Sequence, residues 1–175
     1  INNLLRLVAF QAGSAVSMRE LSSNIGIARN TVEKYLDLLS KVYVIFKVEG
    51  FSRNLRKEIT KNAKWYFYDN GIRNTLVANL NPLGLRNDTG SLWENFIISE
   101  RIKFQEYQNV LSNNFFWRTY DKQEIDWIEE RGGKLFAYEF KFNKEKAKFP
   151  IAFSEAYPES EFRVISANNY HEFVL

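Results

Sequence analysis

"KQEIDWIEERGGKLFAYEFKF", residues 122–142, decides how the second half of the chain folds. Gly132-Gly133 separates two runs of strand-forming residues, and two glycines accept the positive φ that a two-residue hairpin turn demands. Arg131 then pairs with Lys134, and counting outward sets Asp126 opposite Glu139 and Glu124 opposite Lys141 on one face. The other face carries Ile125 and Trp127 against Phe140 and Tyr138. Two carboxylates directly across a ladder repel, so a positive charge is expected between Asp126 and Glu139. The count assumes an unbroken ladder, because a bulge would move one acid to the opposite face.

Working outward, "TGSLWENFIISERIKF" (89–104) predicts a helix opening at Ser91, with Trp93, Phe96 and Ile97 turned to the core. Glu94 lies three residues after Ser91, which is capping-box spacing. If the helix packs across the sheet, the same side chain can instead join the acidic face. "NNFFWRTY" (113–120) reads as a strand, "NKEKAKF" (143–149) as a charged segment, "IAFSEAYP" (151–158) as a short helix and "EFRVIS" (161–166) as a last strand. Helix, three antiparallel strands, helix, strand predicts an α+β or α/β domain with a mixed sheet flanked by helices.

The first half has a different rhythm. "LLRLVAFQAG" (4–13) places Leu4, Leu5, Leu7, Val8 and Phe10 at helical spacing before Gly13. In "SMRELSSNIG" (17–26), Ser17 and Glu20 form a capping box and Gly26 ends the helix. "IARNTVEKYLDLLSKV" (27–42) turns Ile27, Val32, Tyr35, Leu36 and Leu39 inward and Arg29, Asn30, Glu33 and Lys34 outward. The extended "YVIFKVEGF" (43–51) follows, so the pattern is a winged helix-turn-helix over residues 1–80. Arg29, Asn30 and Lys34 would enter a DNA groove, with Arg53, Arg56, Lys57, Lys61 and Lys64 in or beside the wing. Glu33 on the same exposed face argues against DNA, and packing or dimerisation is the competing use of such a helix. In "KWYFYDNGIRNTL" (64–76) a strand runs into Asp69-Asn70-Gly71, where Asp69 is read as an N-cap. The polar "NLNPLGLRNDTG" (79–90) is taken as the domain boundary, leaving residues 81–175 for the second domain.

Composition bounds the function. The chain has 175 residues, 45% hydrophobic and 26% charged, with no cysteine for disulfides or thiolate metal sites. No apolar run approaches the roughly 18 residues of a membrane span, which points to a cytoplasmic protein. Residues 1–88 carry 13 Lys and Arg against 7 Asp and Glu, and residues 89–175 carry 11 against 14, so the halves are +6 and −3. A basic module suited to a polyanion followed by an acidic one is the reading, with scattered surface charge as its alternative. The single histidine, His171, leaves His-based metal or triad chemistry without a second member. The helical pattern already running at Ile1 suggests a longer protein.

On the acidic face the residue types suit phosphodiester chemistry. Asp126 and Glu139 offer hard oxygen ligands for Mg²⁺, and the Lys141 ammonium can orient water or stabilise phosphate charge. A salt-bridge ladder of Lys141 with Glu124, and of Asp126 with Arg118 or Lys122, is the rival. "GSLWENF", "WRTYDKQEIDWIEE" and "LFAYEFK" together resemble the PD-(D/E)XK nuclease-like fold. With "SRNLRKEITKNAKWYFYDNGIRNTL", the whole chain looks like the C-terminal half of a prokaryotic family of AAA-type ATP-binding proteins, in which a winged helix precedes this nuclease-like domain of unknown function. The resemblance implies Asp126 and Glu139 as metal ligands, Lys141 as catalytic lysine and Glu94 as the helix acid completing the site. Ile125 stands where that fold often has proline. No Gly-Lys-Ser/Thr phosphate loop occurs, so the ATP binding that the resemblance implies would belong to an upstream domain of the same polypeptide. Three functions follow as expectations: a DNA- or protein-binding regulatory module, a Mg²⁺-dependent nuclease, or a structural assembly platform, with room for a homo-oligomer in each.

Overall fold

A computed structural model of the chain describes residues 1–53 and 62–175. These pack as two compact units, 1–48 with 62–99 and 49–53 with 100–175. The grouping does not follow the expected division at 80/81. The first unit includes the segment read as a boundary loop and continues to residue 99.

In the first unit, α1 (Asn2–Phe10) buries Leu4, Val8 and Ala9, one helical stripe. Phe10, at helical spacing with them, is 64% exposed. A short β1 (Ala15–Val16) leads to α2 (Met18–Ile25), whose Glu20 amide donates to the Ser17 hydroxyl at 3.2 Å. The reciprocal half of the capping box is replaced by a neighbour, because the Glu20 carboxylate accepts from Gln11 Nε2 at 3.1 Å. Gly26 closes α2 at φ +72°, the left-handed cap that glycine takes at least cost. In α3 (Arg29–Lys41), Val32, Leu36 and Leu39 are buried, while Arg29, Asn30 and Lys34 are exposed. With β2 (Ile45–Gly50) and β3 (Ala63–Phe67), the order α1-β1-α2-α3-β2-β3 is that of a winged helix, β3 lying between β1 and β2. The core joins Leu4, Val8, Leu21, Val32, Leu36, Ile45, Trp65 and Phe67.

After β3, α4 (Asn70–Leu76) is capped by Asp69, whose Oδ1 accepts from the Ile72 amide at 2.9 Å. A Cβ at Gly71 would lie 2.8 Å from that oxygen, so a larger residue there would press on the cap. The proline- and glycine-containing stretch that follows is anchored and does not run as a linker. Arg86 grips both oxygens of Asp88 at 2.8 and 2.9 Å, and Arg73 adds a third bond at 2.7 Å. Both arginine side chains are almost wholly buried. Local polarity and turn residues resemble a linker, yet here they form a packed charge knot.

α5 (Thr89–Tyr107) begins two residues before the expected start. The Leu92 amide donates to the Asp88 carbonyl, so Ser91 lies inside the helix and caps nothing with Glu94. The second unit holds the rest of α5, then β4 (Asn113–Arg118), β5 (Glu124–Arg131), β6 (Lys134–Phe140), α6 (Ile151–Ala156), β7 (Glu161–Ile165) and a short α7 (His171–Val174) that the sequence reading lacked. β4, β5 and β6 are antiparallel and β7 is parallel to β6. Glu49 and Gly50, at the end of β2, pair in parallel with Phe115 and Phe116. The fold is thus mixed α+β, with sheets flanked by helices.

The hairpin register is as counted, from Arg131 opposite Lys134 to Trp127 opposite Tyr138. Gly132 and Gly133 take φ of +54° and +77°. On the β4 side, however, Phe115 is opposite Ile128 while Trp117 is opposite Ile125, so three residues of β5 pass two of β4. This is a bulge across Asp126-Trp127. It brings Ile125 and Ile128, three apart, into one cluster with Trp117, Ala137 and Phe153. The expected apolar face of Ile125 beside Trp127 is corrected accordingly, since the bulge reverses the alternation between them.

Candidate functional site

Three predicted site residues gather where β6 ends in the second unit. Lys141 Nζ is 2.6 Å from Glu139 Oε1, a pair in which the carboxylate is largely buried and the ammonium 41% exposed. Asp126, inside the bulge, accepts the Phe140 backbone amide on Oδ2 at 2.9 Å. Phe140 sits between Glu139 and Lys141, so the Asp126 carboxylate reaches the backbone linking the other two. The regular ladder stops at Trp127-Tyr138, one position short of an Asp126-Glu139 pair, and the Asp126 side chain takes up the amide there. Glu124 forms a long ion pair with Arg118 at 3.8 Å, across from which it lies in the β4-β5 register.

Glu94 is placed differently. In the first unit its Oε1 accepts from the Tyr66 hydroxyl at 2.6 Å and lies 3.2 Å from Lys64 Nζ. Tyr66 and Lys64 are wholly buried. A Cβ on Gly13, at φ +80°, would come within 3.1 Å of the same oxygen. Beside it, Asn95 bonds both the amide and the carbonyl of Phe67, at 2.8 and 2.9 Å, and donates to Asn70. The two aromatic-rich stretches of the sequence therefore dock on each other through Glu94 and Asn95. Lys64, expected beside the wing for phosphate contact, is instead buried as the counterion of Glu94.

Among the nucleic-acid candidates, Asn30 and Lys34 are exposed on α3, and Arg29 is paired with Glu33 one turn on at 2.8 Å. Both members of that pair are well exposed, so solvent screens it and phosphate can compete for the guanidinium. Arg53 pairs with Glu130 in the second unit and lies over the Phe51 ring. Arg56 and Lys57 lie outside the described residues, as does Lys61. Lys144, Lys146 and Lys148 follow Lys141, and Lys144 and Lys146 border a shallow depression with Asn143 and Asn168.

As to metal, Asp126 and Glu139 are of a type suited to Mg²⁺, whose shell water and phosphate oxygens commonly complete. Among the described residues no cluster of three or more histidine, cysteine or acidic side chains stands ready to hold an ion.

Sequence reasoning overlooked a second polar centre. Arg101 on α5 makes a two-pronged bond to Glu129 on β5, at 2.6 and 2.8 Å, and Trp127 Nε1 adds another at 3.0 Å. Arg131 Nε is also 3.0 Å from Glu129. The available signal was phase: Arg101 follows Ile97 and Ile98 on the apolar stripe, and Glu129 follows Trp127 at strand period.

Residues 1–89 match a domain of unknown function, DUF8612, and residues 89–172 match a second, DUF4143. The chain belongs to the DUF8612 family. An uncharacterized protein of Mycobacterium tuberculosis is 26% identical over 139 residues, 77% of this chain and 30% of the relative, and one of Mycobacterium bovis gives the same figures. An uncharacterized protein of Haemophilus influenzae is 28% identical over 65 residues, 37% of this chain and 16% of its own. The chain thus spans under a third of the length of the curated relatives it matches. No solved structure matches it. Among the described residues no helix is long and apolar enough to cross a membrane.

Proposed function

We propose that the chain is a DNA-binding regulatory module, a winged helix joined to a nuclease-like domain, serving an AAA-type ATPase domain elsewhere in its polypeptide. The observation that carries this reading is α3, which buries Val32, Leu36 and Leu39 and turns Arg29, Asn30 and Lys34 to solvent. That is the chemistry of a recognition helix, with cations for phosphates and an amide able to pair with a base edge. The small share of the relatives that the chain spans leaves length for an ATPase domain. Binding to a fluorescent DNA duplex tests the proposal. Lys34→Ala and Arg29→Ala should each weaken it several-fold; unchanged affinity in both would end the assignment to this helix.

A second reading has its own support in the gathering of Asp126, Glu139 and Lys141 at the end of β6. A Mg²⁺ ion there would polarise a phosphoryl oxygen and acidify water. For this chain, Lys141 would hold the phosphate and the Phe140 amide would keep Asp126 oriented. Nicking of supercoiled DNA that needs Mg²⁺ and is lost in Lys141→Ala would favour the nuclease. Absence of nicking by the intact chain with Mg²⁺ or Mn²⁺ would favour the binding module.

A further inference from the structure

Arg101, held by the buried Glu129, lines a cleft of about 680 Å³ within the second unit. Its arginines, Arg101, Arg131 and Arg163, come from α5, β5 and β7. Tyr138 and Arg163 are register partners on β6 and β7, so they share a face of the sheet, and successive residues of a strand alternate, which puts Glu139 on the opposite face. The cleft is therefore separate from the carboxylates at the end of β6.

Its charge balance is unusual. Two guanidiniums, Arg101 and Arg131, share one wholly buried carboxylate, Glu129. The buried Nε–H of Arg131 is in ion-pair range of Glu129 yet makes no hydrogen bond. Arg163 adds a third cation, its partner Glu161 being 3.5 Å away with both side chains exposed to solvent; among the described residues Glu172 is the acid on the lining. An anion entering the cleft would meet planar donors able to grip two oxygens each. The walls also carry rings: Arg131 lies 4.0 Å from the Phe136 centroid and Arg101 4.4 Å from that of Phe173. A flat heterocycle can extend such a cation-ring stack. The volume is in the ordinary range for small-ligand sites.

We infer that this cleft binds a mononucleotide, its phosphate on Arg131 and Arg163 and its base against the arginine-aromatic wall. The inference does not depend on the reading of α3. The test titrates the four ribonucleoside 5′-monophosphates, inorganic phosphate and free nucleosides into the intact chain, following tryptophan fluorescence and calorimetric heat. At least one monophosphate should bind about tenfold more tightly than either phosphate or its nucleoside, because only it uses both halves of the site. Arg163→Glu, an exposed position whose change should leave the melting temperature alone, should weaken that binding about tenfold or more. Monophosphates no tighter than inorganic phosphate, or affinity retained in Arg163→Glu, would overturn the assignment.

Discussion

Asp88 shows what a single carboxylate can hold in place. The hydrogen bond from Arg86 lowers its pKa to about 2, against the opposing effect of burial and with further help from Arg73. A depressed folded pKa contributes stability that is fully present above the ordinary value of 3.8 and is lost as pH falls toward 2. The size of the shift corresponds to about 2 kcal/mol. Urea midpoints between pH 5 and pH 2 should fall in the parent, and Asp88→Asn should be less stable at pH 6 while losing part of that acid dependence. Glu129 makes a stronger demand, since its removal leaves two arginines facing each other. Glu129→Gln is expected to cost about 3 kcal/mol, the usual penalty for breaking a buried pair, read from denaturant unfolding. A loss under about 0.5 kcal/mol, typical of a surface substitution, would mean the arginines find solvent.

Among the elements, the hairpin was legible because two glycines fix its turn and hence its register. The bulge was not, because it depends on how β5 meets β4 across the connection 119–123, which carries no glycine pair to fix the register. That one irregularity regroups Ile125 with Ile128 and leaves Asp126 holding the Phe140 amide. Glu94 was misread as a capping residue because Ser91 offers a local explanation, whereas its partners Tyr66 and Lys64 lie nearly thirty residues away. The boundary loop misled because charges that bind each other read, in sequence, as solvated ones. Two glycines separate backbone from contact effects. Gly26→Ala meets open space, so it should cost only the left-handed backbone penalty of about 1 kcal/mol. Gly13→Ala adds a methyl against Glu94 and should cost more, about 2 kcal/mol, in thermal unfolding. Equal losses would show that Glu94 yields freely and is not pinned by Tyr66 and Lys64.

For the whole molecule, the order of the winged-helix elements and the mixed sheets flanked by helices could be read from the sequence, since each rests on local pattern, whereas the short α7 could not. What each unit binds is a matter of surface chemistry. The central claim is that α3 meets the DNA backbone. It is tested most directly by the slope of log affinity against log salt for a duplex, measured for the parent and for Lys34→Glu. Each phosphate contact releases counterions and contributes a slope of about −0.9. The account predicts a clear salt dependence in the parent and a slope shallower by about one unit in Lys34→Glu, with binding weakened on every duplex sequence. Identical slopes and affinities, or no salt-dependent binding in the parent, would contradict it.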